Sequence, residues 1–293
     1  MVSFVLPGRR ARLLAVSTTI AMLVMVASWV VDTSSAGARD DVTSPTVAAV
    51  RARGELVVGT KFDQPLFGLR DPSTGSVEGF DVDIARIVAR QVFGAKVARN
   101  LRFVETTSKT RETALTTGAV DLVAATYTIT PAREEIVDFS RPYFTTGQTI
   151  LTRRSDRSIR GVADLAGRTV CTVTGSTSAT NLASAAPTAV PVLLDTYSAC
   201  VAALDAGTVD AVTTDEGILL GFVARAPDAY RVVGPPFTTE YYGIGLPPGD
   251  PVLEQRVNAA LARSFRDGSW TRAWKRTIGV TGAAPPRPPG GRN

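Results

Sequence analysis

The sequence predicts an α/β protein made of two similarly built lobes. Strand-like and helix-like segments alternate along most of its 293 residues, the pattern of parallel strands covered by helices. The length is enough for two lobes with cores of their own, and 44% hydrophobic with 20% charged residues is ordinary globular material. An internal near-repeat points to duplication rather than to one large sheet. ALTTGAVDLVAAT from Ala114 matches ALDAGTVDAVTTD from Ala203 in helix end, glycine, Val-Asp and strand, and it sets Thr126 opposite Asp215 at two strand ends.

Taken in order, the chain opens with GRRARLLAVSTTIAMLVMVASWVV and DTSSAGARDD: a basic segment, an apolar run, then small residues ending in Ala36-Gly37-Ala38. Residues 1–38 read as a signal peptide cleaved after Ala38. The alternative is an uncleaved anchor, since the run from Leu13 to Val31 is close to the roughly 20 residues that span a bilayer. Either way the remainder is expected outside the cytoplasm. The net charge of +5 could suggest nucleic acid or a membrane surface. However, Arg9, Arg10 and Arg12 against Asp32 supply +2 of it within the leader, leaving +3, and Arg287 and Arg292 lie in the Pro/Gly-rich end. A nearly neutral body argues against a nucleic-acid partner.

Beyond the leader come ELVVGT as a strand and DVDIARIVARQVFG as a helix, with Asp81 as N-cap and Gly94 as terminator. The strand LRFVE, the helix TRETALTTG and the strand VDLVAATYT follow. TITPAR reads as a strand end, Thr130 as N-cap, and Pro131 at the first helical position. The pattern recurs as RTVCTVT, SATNLASAA, VPVLLD, TYSACVAALDAG and VDAVTTDE. RVVG, the strand EYYGIGLPP and two helices, DPVLEQRVNAALARSFRDG and SWTRAWKRTIG, complete it. A strand that leaves the second lobe and helices that pack back on the first make the first lobe discontinuous. The expected boundaries are 46–145 plus 243–279 for lobe 1 and 146–242 for lobe 2, with crossings near 145–149 and 239–243. Residues 280–293, rich in Pro and Gly, are expected to be disordered.

The chain contains no histidine, which removes Ser-His-Asp and Cys-His nucleophiles and the commonest metal ligand. Cys171 and Cys200 are the only cysteines. An even count in an exported chain favours a disulfide over two buried thiols. No Walker sequence or GxGxxG occurs, so a nucleotide cofactor has no support. Glu134 and Glu135 read as a solvated helix face rather than an acid/base pair. What remains is a set of cations and hydroxyls at strand ends and helix starts: Lys61, Arg111, Thr126, Thr128, Arg133, Ser176 and Thr177 within TGSTS, and Asp215. Arginine presents a planar fork to a carboxylate, and free amides at helix starts add donors. Arg133 in a first helical turn opposes the helix dipole, which invites either a ligand role or a surface pair with Glu134 or Asp138.

Assembled, these residues resemble the amino-acid-binding proteins of ABC importers, solute-binding family 3, over about Val50 to Gly279. The carriers are GFDVDIA from Gly79, the Thr128–Arg133 element leading into VDFSRPYF, the loop TGSTS, and YYGIGLP from Tyr241. GTKFDQP, RETAL, TVCTVTGSTSA, DTYSACVAAL and TTDEGIL are most similar to the actinobacterial glutamate-binding branch. The resemblance implies a type II periplasmic-binding fold: two α/β lobes joined by two hinge strands that close on L-glutamate or L-aspartate. It implies delivery to an ABC permease by a monomer without catalysis, cofactor or metal.

Position by position, the resemblance implies that Arg133 and Thr128, with Thr126, hold the α-carboxylate and Asp215 the α-ammonium. Lys61 and Arg111 would take the side-chain carboxylate, and Ser176 and Thr177 would add donors from the second lobe. Ser108 stands where several relatives stack an aromatic ring. Three cations against one carboxylate suit a ligand with two carboxylates and one ammonium, because desolvated charge needs partners. The family-like cysteine positions add to the case for a Cys171–Cys200 bridge. A sensor module, or a dehydratase or peptidoglycan lyase on the same fold, are the competing expectations.

Overall fold

The computed structural model describes residues 1–3, 43–283 and 289. The predicted export segment from residue 4 on, and the predicted tail apart from residues 280–283 and 289, lie outside the described residues. Among the described residues no helix is long and apolar enough to cross a membrane.

Helix α1 (Pro45–Arg53) follows from local chemistry. Ser44 accepts the Val47 amide, Pro45 fills the first position, and Gly54 ends the helix at φ 74°. Ser44 also donates to Asp250, 2.6 Å away, which fixes the start of the body against its C-terminal part. Next come β1 (Leu56–Thr60), the short strands β2 (Asp63–Gln64), β3 (Gly68–Arg70) and β4 (Val77–Glu78), and α2 (Phe80–Val88). A π-helical turn, Ala89–Phe93, leads to α3 (Ala95–Ala98), β5 (Leu101–Glu105), α4 (Arg111–Thr116), β6 (Leu122–Val123), α5 (Pro131–Glu134) and β7 (Asp138–Phe139). Thr130 and Pro131 start α5 as their sequence predicts. Asp81 does not cap α2 as predicted: Gly79 holds the cap position at φ 138°, and Asp81 lies in the first turn with its carboxylate bonded elsewhere.

Strand β8 (Phe144–Thr146) leaves this body and β9 (Gln148–Arg153) enters the second. There follow β10 (Thr169–Val173), α6 (Thr177–Ala185), β11 (Val190–Leu194), α7 (Tyr197–Asp205), β12 (Ala211–Asp215), α8 (Glu216–Arg225) and β13 (Tyr230–Val233). Strand β14 (Glu240–Tyr242) returns antiparallel to β8. It is followed by β15 (Gly245–Leu246), α9 (Pro251–Arg266), α10 (Ser269–Arg276) and a last 3-10 turn, Ile278–Thr281.

Two five-stranded sheets result, ordered β5-β1-β6-β15-β7 and β11-β10-β12-β9-β13. The plans coincide. In each sheet the first three strands are parallel, and the fourth, which arrives from the other lobe, is antiparallel to its neighbours. An aromatic cluster underlies the crossing. Phe144 on β8 and Tyr242 on β14 have ring centroids 5.4 Å apart, and Phe67, Phe80, Trp270 and Trp274 pack around them. In the second lobe Cys171 of β10 and Cys200 of α7 form a disulfide with Cα atoms 5.5 Å apart, and both residues are fully buried. On the chain-entropy model, closing a loop of this length contributes about 3.5 kcal/mol.

Candidate functional site

The parallel strands end facing the gap between the lobes, where open α/β sheets bind ligands. Lys61 follows β1 directly, 3% exposed, and its Nζ donates to Ser108 Oγ at 3.0 Å. Burial, and then the charge of Arg111, bring its ammonium down to about 7. Arg111 opens α4 with its guanidinium 3.8 Å from the centre of the Tyr127 ring. Its Nη1 donates to the Ala125 carbonyl at 3.2 Å, while its buried Nε has no hydrogen-bond partner.

Arg133 lies over the same ring, at 5.2 Å. It donates to the Thr128 carbonyl at 2.7 Å and, across the gap, to the Gly175 carbonyl at 3.1 Å. Burial, and next the neighbouring Arg111, lower its guanidinium to about 10. The surface alternative does not hold: Arg133 is 9% exposed, and its ion-pair partner is Glu112, at 3.5 Å, rather than Glu134 or Asp138. Gly175 meets the other lobe closely. A Cβ there would approach Ser108 O and Lys109 Cα at 3.0 Å, and the residue sits at φ 76°, so backbone contact is available only to glycine.

Thr126 is held at φ 44°, a strained region for a β-branched residue that costs on the order of 1–3 kcal/mol. Its amide donates to Asp81 at 2.6 Å and its hydroxyl to Gln64 at 2.9 Å. Thr128 bridges to Tyr242 of β14. From the other lobe, Asp215 ends β12 and sits at the N-cap position of α8 without making a cap bond. Tyr242 donates its hydroxyl to Asp215 Oδ2 at 2.5 Å, and Oδ1 is buried without a partner. Burial first and Glu240 second raise this carboxyl to about 7. Ser176 caps α6, accepting the Ala179 amide and donating to the Val173 carbonyl, and Thr177 is the first residue of that helix, half-buried.

Several participants carry little signal in the sequence. Glu112 accepts the Tyr127 hydroxyl at 2.8 Å and pairs with both Arg111 and Arg133. The count of three cations against one carboxylate therefore omitted a counter-charge. Tyr127 is the shared floor under both guanidiniums. Asp63 accepts the amides of Tyr197 and Ser198 at the start of α7, a second polar contact between the lobes. Glu112 had a signal of a kind, being adjacent to Arg111 in RETAL, but an acidic residue in a first helical turn is commonplace.

The sequence profile of the family described as bacterial extracellular solute-binding proteins, family 3, matches residues 56–279. The chain belongs to this family. This solute-binding protein is 42% identical over 234 residues to the glutamate-binding protein GluB of Corynebacterium efficiens, covering 77% of this chain and 79% of that one. It is 40% identical over 234 residues to the ABC transporter glutamine-binding protein GlnH of Bacillus subtilis, covering 80% and 84%. Among solved structures it resembles an ancestral arginine-binding protein bound to arginine, with TM-score 0.71 and 33% identity over 77% of this chain and 98% of that one. It also resembles an ancestral amino acid-binding protein described as a precursor of cyclohexadienyl dehydratase, with TM-score 0.71 and 31% identity over 80% and 99%. The fold is the two-lobed type II periplasmic-binding architecture, and the family is extracytoplasmic.

Proposed function

We propose that this protein captures an acidic amino acid, L-glutamate or L-aspartate, between its lobes and delivers it to an ABC permease. The observation that carries the reading is the placement of three buried cations and one open carboxylate in different lobes, the Asp81 and Glu112 carboxylates of the first lobe being already bonded within it. Lys61, Arg111 and Arg133 belong to one lobe, and the unpaired Oδ1 of Asp215 belongs to the other. An amino acid has matching ends. In this reading Arg133, Thr128 and Thr126 take the α-carboxylate, Asp215 takes the α-ammonium, and Ser176 and Thr177 add donors on closure. Lys61 and Arg111 take the side-chain carboxylate. Lys61 supports that last step because its nearest polar partner is a neutral hydroxyl and no carboxylate lies within ion-pair distance of it among the described residues.

The bodies that close are 46–145 with 243–279, and 146–242, turning about β8 and β14 as in hinge closure. Residues 1–38 act as the export segment, and no covalent step is involved. Relatives named for glutamate and for glutamine fit the shared α-amino-acid part of the reading, and Lys61 is what favours the acidic member. Calorimetric titration with glutamate, aspartate, glutamine and asparagine tests it. Tighter binding of the two acids is expected. Glutamine binding as tightly as glutamate would sink the acidic preference, and no heat with any amino acid would sink the whole reading.

A further inference from the structure

We infer that Asp81 is a positioning residue that ties the ligand-facing loop of lobe 1 to the first crossing strand; the link to affinity rests on the function proposed above. Asp81 is fully buried in the first turn of α2, and its two oxygens serve different parts of the molecule. Oδ2 accepts the Thr126 amide at 2.6 Å, beside the strained φ of that residue. Oδ1 accepts the Tyr143 hydroxyl at 2.6 Å. Tyr143 immediately precedes β8, its amide donates to the Tyr242 carbonyl of β14, and its carbonyl accepts Trp270 Nε1 at 2.9 Å.

A path of three hydrogen bonds thus runs from the loop carrying Thr126 and Thr128, through one carboxylate, to both crossing strands. Only an ionised carboxylate accepts from two donors at opposite oxygens. A protonated acid or an amide accepts at one end and donates at the other, which the Thr126 amide cannot meet and the Tyr143 hydroxyl meets only by turning from donor to acceptor. Tyr242 makes the counterpart connection, from β14 to Asp215 in the other lobe, so each crossing strand sends one tyrosine hydroxyl to one site carboxylate.

The groups facing Asp81 are the Thr126 amide and the Tyr143 hydroxyl, with Lys61 and Arg111 acting through charge. Burial raises the carboxyl to about 6 against their pull. In ligand-free full-length protein titrated by NMR from about pH 8 to 5, the Thr126 amide proton and the Tyr143 ring signals are expected to move together with one midpoint. Asp81→Asn should abolish both movements. Separate midpoints, or movements that persist in Asp81→Asn, would overturn the bridge, and this result is independent of any ligand.

Tyr143→Phe cuts only the hinge side. It should keep the Thr126 signal while weakening glutamate about tenfold, the scale of one lost hydrogen bond to a charged group, and reducing compaction on glutamate in solution scattering. Unchanged affinity and compaction in Tyr143→Phe would overturn the coupling. If Asp81→Asn fails to fold, the wild-type titration and Tyr143→Phe decide. If wild-type protein binds no amino acid, the proposed function falls and the titration alone decides the bridge.

Discussion

In lobe 1 the unit from Ala114 to Thr126 runs through a helix end, Gly118 at φ 71° and Asp121, whose carboxylate accepts the Val57 amide at 2.7 Å. In lobe 2 the unit from Ala203 to Asp215 runs through a helix end, Gly207 at φ 73° and Asp210, whose carboxylate accepts the Thr169 amide at 2.8 Å. Each aspartate clips its strand to the parallel strand beside it, β6 to β1 and β12 to β10, and the register agrees: Gly59 pairs with Val123 as Cys171 pairs with Val212. The copies part at their ends. Strand β6 stops at Val123 and gives way to a strained loop under two arginines, whereas β12 continues to Asp215 and passes straight into α8. A duplicated frame therefore presents cations from one side and a carboxylate from the other, the sorting that a zwitterion needs.

The hardest test of that contrast removes one charge from each side. Arg133→Ala is expected to abolish binding of every amino acid, since stripping one partner from a buried charged pair costs about 2 to 5 kcal/mol, at least thirtyfold in affinity. Titration with glutamate and glutamine reads it, and normal glutamate binding would end the assignment. Asp215→Asn should do the same through the ammonium.

Lobe 2 also carries the disulfide, and removing it sharpens the comparison from the stability side. Replacing Cys171 and Cys200 by Ala should lower the unfolding free energy by about 3.5 kcal/mol. Faster hydrogen exchange should be confined to strands β9 to β13. Loss of protection spread equally over both sheets would show that the lobes do not unfold separately.

The opposite charges also predict opposite pH limits. Lys61, lowered to about 7, discharges as pH rises through 7 and should then release the side-chain carboxylate. Asp215, raised to about 7, protonates as pH falls through 7 and should then lose the ammonium. Glutamate affinity should therefore fall on both sides of neutrality, and Lys61→Ala should remove only the alkaline limb. Calorimetry across pH 5 to 9, roughly two units either side of neutrality, checks this, and an alkaline limb that survives in Lys61→Ala would assign it to another group.

The smallest effect concerns the shared frame. Asp121→Asn and Asp210→Asn should each cost about 1 kcal/mol without changing ligand preference. Denaturant midpoints displaced by clearly different amounts would mean that the two clips are not equivalent.

By itself the sequence determined what short-range chemistry decides. The alternation of strand and helix, the Thr130–Pro131 start of α5, the glycine stops after Thr117 and Ala206, and the Val-Asp repeat all depend on residues within a few positions of one another. Their outcomes were legible because backbone geometry and capping act locally. Asp81 departs from its predicted capping role for the same reason: a carboxylate ahead of an apolar run is a good N-cap by local grammar, while its real partners, Thr126 and Tyr143, lie 45 and 62 residues away.

Only the tertiary structure decided that Glu112 sits between Arg111 and Arg133 above the Tyr127 ring, and that Gly175 reaches across to Arg133. It also decided that Tyr242 and Tyr143 connect the crossing strands to the site carboxylates. These contacts join groups that chain spacing does not relate. Their strength comes from the shared loss of water when two lobes bury them together, a property of the packed molecule rather than of any segment.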